Sequence, residues 1–146
     1  MLGRITIDDV RPATPSRQFP PKAVVGEEVR VSADIFKDGH DLLAARVRWR
    51  RAGRSRWQTA PMRAEVNDRW SGTIVPDDVG RHEVVIEAWR DRFATWRHDV
   101  EIKAAAGDDI EVELEEGARI LEELAEKLRS RPRKRGLAAV AGLRRT

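Results

Sequence analysis

The residue types that most often carry chemistry are sparse in this chain. It holds three histidines, His40, His82 and His98, and no cysteine. The histidines share no spacing with a zinc site, so they read as structural or surface residues. Without cysteine there is no disulfide scaffold, no Cys-ligated zinc or iron–sulfur cluster and no thiol nucleophile. The acidic pairs Asp8-Asp9, Asp77-Asp78 and Asp108-Asp109 are the places to look for the two carboxylates of a glycosidase. Adjacent strand residues point to opposite faces, however, and these pairs fall where turns or a helix start are expected. No glycine-rich phosphate loop follows a strand, and no serine sits in a nucleophile-elbow pattern. The residues therefore predict no catalytic group, no cofactor and no metal ligand.

Two clusters remain. Arg46, Arg48, Arg50, Arg51, Arg54 and Arg56 form the densest basic stretch. The first three share one strand face opposite Val47 and Trp49, where acidic residues of neighbouring strands would neutralise them; nucleic-acid binding needs a continuous unneutralised stripe, and is not expected. The second cluster is aromatic: five tryptophans and no tyrosine. Trp49, Trp70 and Trp96 share parity with aliphatic residues and read as core. Trp89 shares parity with Glu83 and Glu87 and faces outward, and Phe93 follows it. Trp89, Phe93 and Val85 are thus the candidate interface residues, suited to a protein or domain contact; Trp89 or Trp57 as sugar platforms of a stand-alone carbohydrate-binding module is the alternative.

The elements that must position these residues follow from periodicity. Up to about residue 104 the apolar signal alternates, and Pro, Gly or Asp breaks the runs. Ile5 and Ile7 open the first strand, and Pro12, Pro15, Pro20 and Pro21 enforce an extended connection. Val29, Val31, Ala33 and Ile35 make the second strand. Val47 and Trp49, the region of Trp57, Trp70 to Ile74, Arg81 to Trp89, and Trp96 to Ile102 follow. About seven strands without intervening helices predict an antiparallel β-sandwich of immunoglobulin or fibronectin type over residues 1–105. From Asp108 or Asp109, a potential helix cap, the period changes: Ile110, Leu114, Ala118, Leu121, Ala125 and Leu128 mark one amphipathic helix to about Arg131. Pro132 interrupts it, and Gly136–Leu143 reads as a second piece. Residues 106–146 are thus a C-terminal helical segment, expected to begin a truncated helical bundle, because a lone amphipathic stripe must be buried against something.

The whole chain has 146 residues and a net charge of +3, from 28 basic and 25 acidic side chains. A (β/α)8 barrel, which needs at least about 200 residues, does not fit. No apolar run approaches the roughly 18 residues that span a bilayer, and no signal-like segment opens the chain, so a cytoplasmic protein without a membrane partner is expected. The tail is segregated: its acids lie between Asp108 and Glu126 and most of its bases from Lys127 onward, as a helix dipole favours.

The run Glu-Ala-Trp-Arg-Asp-Arg-Phe-Ala-Thr-Trp-Arg-His-Asp-Val-Glu-Ile-Lys, Glu87 to Lys103, resembles the N-terminal domain of the bacterial α-1,4-glucan:maltose-1-phosphate maltosyltransferases of the α-amylase superfamily. Gly3-Arg4-Ile5, Asp9-Val10, the segment Phe19 to Glu27, Phe36 to Asp41, Asp68-Arg69-Trp70 and Gly117-Ala118-Arg119 agree with it. The resemblance implies a β-sandwich with an attached helical bundle that packs on the catalytic barrel of the same polypeptide and contributes to a homodimer. The barrel of that family transfers maltosyl units from maltose 1-phosphate to α-1,4-glucan, with retention, through a carboxylate nucleophile and a carboxyl acid/base. No position of this chain corresponds to those groups. The resemblance thus implies a non-catalytic part of such an enzyme, with α-glucan contact a feature of the full-length protein.

Overall fold

Most of the runs in which apolar and polar side chains alternate are realised as strands closed by turns, with β-branched residues prominent in β2 and β6. In the computed structural model, which describes residues 3–128, the strands are β1 (Thr6–Arg11), β2 (Val29–Phe36), β3 (Leu43–Arg51), β4 (Gln58–Ala64), β5 (Arg69–Ile74) and β6 (His82–Arg90). Two helices follow, α1 (Arg92–Ala105) and α2 (Glu111–Lys127). The described chain is mainly β. All strand pairs are antiparallel, in the order β1-β2-β5-β4-β3-β6.

One core sets this order. Val31, Ala33 and Ile35 of β2 and Ala45, Val47 and Trp49 of β3 are buried in the same cluster as Met62 and Ile74. Because β2 and β3 are not hydrogen-bonded neighbours, the sheet must coil until their apolar faces meet, which removes both from water. The β4–β5 hairpin makes the bend: Asn67 and Asp68 both have positive φ, 56° and 61°, the left-handed pair that a tight two-residue hairpin requires. Gly72 of β5 lies under it, where a Cβ would stand 3.0 Å from the Pro61 carbonyl and 3.1 Å from Met62 Cγ. A side chain there would hold β5 away from β4.

The expected seventh strand is a helix. Residues 95–102 belong to α1, although Trp96, His98, Val100 and Ile102 alternate with polar residues. The same stretch also places Phe93, Trp96 and Val100 at helical spacing, and the helix termini decide between the two readings. The Asp91 carboxylate accepts the Ala94 N–H at 2.9 Å, and Gly107, at φ +79°, turns the chain out so that the Asp108 amide reaches the Lys103 carbonyl at 3.0 Å; such ends satisfy the orphan groups of a helix and not of a strand. Consequently the strands end at Arg90, and His98 is exposed on α1.

The second helix starts one turn-residue later than the acidic cap predicts. Ile110 is its N-cap, and Asp109 instead accepts the Glu111 N–H at 3.0 Å. Glu111 and Glu113 in the first turn and Lys127 in the last suit the helix dipole. The interruption expected at Pro132 and the helical piece expected over Gly136–Leu143 lie outside the described residues.

By contacts the chain divides into two compact units. One comprises the chain up to Gly39 together with Leu43–Arg90; the other comprises His40–Leu42 together with the residues from Asp91 onward. Among the described residues no helix is long and apolar enough to cross a membrane.

Candidate interaction surface

In the strand unit the register of β3 against β6 builds a polar and aromatic outward face. Arg46 lies opposite Glu87, Arg48 opposite Val85 and Arg50 opposite Glu83. Arg46 Nε donates to Glu87 at 2.5 Å and Arg48 Nη1 donates to the other Glu87 oxygen at 2.9 Å. Arg50 Nε donates to Glu83 at 2.7 Å. Hydrogen bonds from Arg48 and then Arg46 hold the Glu87 carboxyl below the usual carboxylate range. Arg46, Arg48 and Arg50, the three arginines of the cluster on this strand face, are thus paired with carboxylates of β6, as expected.

The same guanidinium groups carry the tryptophans. Arg46 lies 5.5 Å from the Trp89 ring centre, and Arg48 and Arg50 lie 4.9 and 4.3 Å from that of Trp57. These are cation–π distances. Two of the three candidate interface residues fall on this face: Trp89 is 42% exposed and Val85 41% exposed.

The third, Phe93, belongs to the helical unit. It is the second residue of α1 and tilts against Trp96, with ring centres 5.3 Å apart. Trp96, expected in the sheet core, is the buried residue of α1. Its indole N–H donates to the Glu113 carbonyl at 2.5 Å, and its ring lies against Gly117 of α2, where a Cβ would fall inside the indole. Glu113 also binds Lys103. That bond lowers the Glu113 pKa and raises that of Lys103. The importance of Gly117 was not visible from helix periodicity, which marks apolar positions and passes over glycine.

Several of the remaining sequence candidates have structural partners. Asp8 and Asp9 lie within β1, at an irregularity of register between Asp8 and Arg11, and not at a turn between elements. Asp9 has φ 46° and binds Arg11, Arg17 and Arg69; the Arg11 hydrogen bond leads in holding its carboxyl below the ordinary range. Asp78 holds Arg51 at 2.7 Å. His82 Nδ1 lies 3.1 Å from the Gly80 carbonyl, and His40 is exposed in the β2–β3 turn. Beside β1 the proline-rich connection frames a cleft of about 500 Å³, beside which Phe19 is 70% exposed. Among the described residues no group of three or more His, Asp or Glu is placed to hold a metal ion.

Comparison with known proteins adds the family. A family model described as "Alpha-1,4-glucan:maltose-1-phosphate maltosyltransferase, domain N/S" matches residues 3–146. An α-1,4-glucan:maltose-1-phosphate maltosyltransferase of Myxococcus xanthus is 45% identical over 125 residues, covering 83% of this chain and 19% of the relative. Maltosyltransferase 1 of Streptomyces coelicolor is 42% identical over 147 positions, 99% of this chain and 22% of the relative. One from Cereibacter sphaeroides is 42% identical over 120 residues, 82% and 20% respectively. The chain thus spans about a fifth of the length of the curated relatives it matches.

Proposed function

The chain belongs to the family of α-1,4-glucan:maltose-1-phosphate maltosyltransferase N/S domains, and from that premise we propose that it is the non-catalytic N-terminal part of such an enzyme. Its work is assembly: it packs on the catalytic barrel of the same polypeptide and contributes to a homodimer, while the barrel transfers maltosyl units from maltose 1-phosphate to α-1,4-glucan. The observation that carries this reading is the family match across residues 3–146.

Two finer features accompany the proposal. The coiled sheet reads as an immunoglobulin-like sandwich, because β4 and β5 are joined by only two register pairs, Arg63 with Ser71 and Ala64 with Trp70. The sheet is nearly split there into β1-β2-β5 and β4-β3-β6. A cytoplasmic location suits a chain with no cysteine.

A chimera tests the assembly role. Replacing the matching 22% of the Streptomyces coelicolor relative with this chain should retain dimeric mass by light scattering and maltosyl transfer to glucan. Deleting the matching segment should abolish both. Turnover of maltose 1-phosphate by the 146-residue chain alone, or full activity and dimeric mass in the deletion, would overturn the reading.

A further inference from the structure

We propose that the outward face of β4, β3 and β6 binds a linear α-1,4-glucan chain, with Trp57 and Trp89 as sugar platforms and the Arg46–Glu87–Arg48 array between them as the group that engages hydroxyls. The identity of the polymer rests on the family reading above; the site itself rests on the geometry of this face.

The rings come first. A flat indole offers an apolar surface to the C–H faces of a sugar ring, and it does so best when held in place before the ligand arrives. Trp89 is 42% exposed, yet it is braced by Arg46, itself fixed by Glu87. Trp57 is braced by Arg48 and Arg50, fixed by Glu87 and Glu83. Both rings are therefore held in place, Trp89 exposed and Trp57 half-buried. The arginines that brace the two rings lie two to four residues apart on one strand, about 7–13 Å, a span that several linked sugars cover and a monosaccharide does not.

Hydrogen-bonding capacity comes second. The ion pairs engage Nε of Arg46, Nη1 of Arg48 and Nε of Arg50. A guanidinium has five donors and a carboxylate about four acceptor sites, so donors and acceptors remain side by side. Vicinal sugar hydroxyls both donate and accept, and this mixed array complements them.

Charge comes third, and it selects the ligand. Three guanidinium groups face two carboxylates in these pairs. A polyanion is held by cations free to replace its counterions, whereas here all three cations are already engaged, Arg46 and Arg48 by the shared Glu87 and Arg50 by Glu83. A neutral polyol fits the balance.

Native electrophoresis of the 146-residue chain through gels containing glycogen tests the site, with maltoheptaose titration followed by tryptophan fluorescence. The chain should be retarded by glycogen and should saturate with maltoheptaose. Trp89→Ala should weaken both by about three- to tenfold, with an unchanged far-ultraviolet circular dichroism spectrum and melting curve, and Trp89→Phe should restore most of the binding. Absence of retardation of the wild-type chain overturns the proposal. So does unchanged retardation of folded Trp89→Ala, or retardation by dextran sulfate equal to that by glycogen, which would mark a polyanion face. Failure here leaves the chimera's dimeric mass and activity untouched; conversely, a failed chimera with intact Trp89-dependent retardation would overturn the assembly role and keep the site.

Discussion

The strand unit and the helical unit bury tryptophan in opposite ways. In the strand unit Trp49 is one of several residues in a core shared by four strands, with Val31, Ile35 and Val47 almost wholly enclosed. In the helical unit the buried ring of α1 is Trp96, seated on a glycine and tied by its N–H to Glu113. A shared core spreads the consequence of any one change over many neighbours, whereas a ring in a fitted seat concentrates it. The two units also differ in the chemistry of their ion pairs. Most of the ion pairs described in the strand unit use arginine, as Arg30 on Glu65 and Arg69 on Asp34 do, while in the helical unit Lys103 on Glu113 brings in a titratable cation.

The contrast can be broken most directly at the seat itself. Trp96→Ala should cost about 3–5 kcal/mol and, by hydrogen exchange, release amides of α1 and α2 while those of β2 and β3 stay protected. Equal loss of protection in β2 and β3 would mean that the units do not fail separately. Ile35→Ala should cost about 2–5 kcal/mol with the converse pattern, the strands opening first. A smaller effect is expected for Gly117→Ala. Alanine gains up to about 1 kcal/mol in helix propensity, but overpacking against the indole costs about 1–3 kcal/mol. A net loss of helical signal on melting is the expected outcome, and a raised melting temperature would show that the indole moves aside freely.

The effect of pH is smaller and sharpens the second half of the comparison. Glu65 and Glu87 in the strand unit and Glu113 and Glu123 in the helical unit all have lowered carboxyl pKa values. For Glu65 the leading cause is the Ser71 hydrogen bond, for Glu87 Arg48, for Glu113 Lys103 and for Glu123 Arg92. Such groups stabilise the fold above their ordinary value of 4.5, and the contribution is lost as pH falls through the lowered folded value. Both units should therefore weaken in acid. Lys103 has the opposite sign: its pKa is raised above 10.5 by Glu113, so its contribution is full below that value and lost as pH rises through the folded one. Arginine stays charged. Exchange measured between pH 9.5 and 11.5, corrected for the intrinsic base-catalysed rate, should loosen α1 and α2 before the strands, and simultaneous loosening would remove the distinction.

Much of the strand unit was legible because its residues obey one period. Val31, Ala33 and Ile35 could only face a core, and Asn67-Asp68 could only be a turn. The outward Arg–Glu pairing followed from parity as well, and so did the exposure of Trp89. The region from Thr95 to Ile102 was misread because it satisfies two periods at once, and what separates them is the capping at Asp91 and Gly107. Phe93 was read together with Trp89 from proximity in sequence, whereas its observed ring partner is Trp96. The stacking of Arg48 and Arg50 on Trp57 depends on how the β3–β4 connection returns, which composition does not encode.

The turn at Leu42 gives the helical unit a consequence in time rather than in stability. Leu42 accepts the Asp91 N–H at 2.9 Å and donates its own to Thr95 Oγ1 at 3.0 Å, across 53 positions of sequence. Closing so large a loop from an open chain costs on the order of 3–4 kcal/mol. Pairing of β3 with β6 brings Leu43 opposite Arg90 and has already closed it. The first turn of α1 therefore inherits its anchor from the β3–β6 pair, so during folding these strands should zip before that end of the helix is fastened.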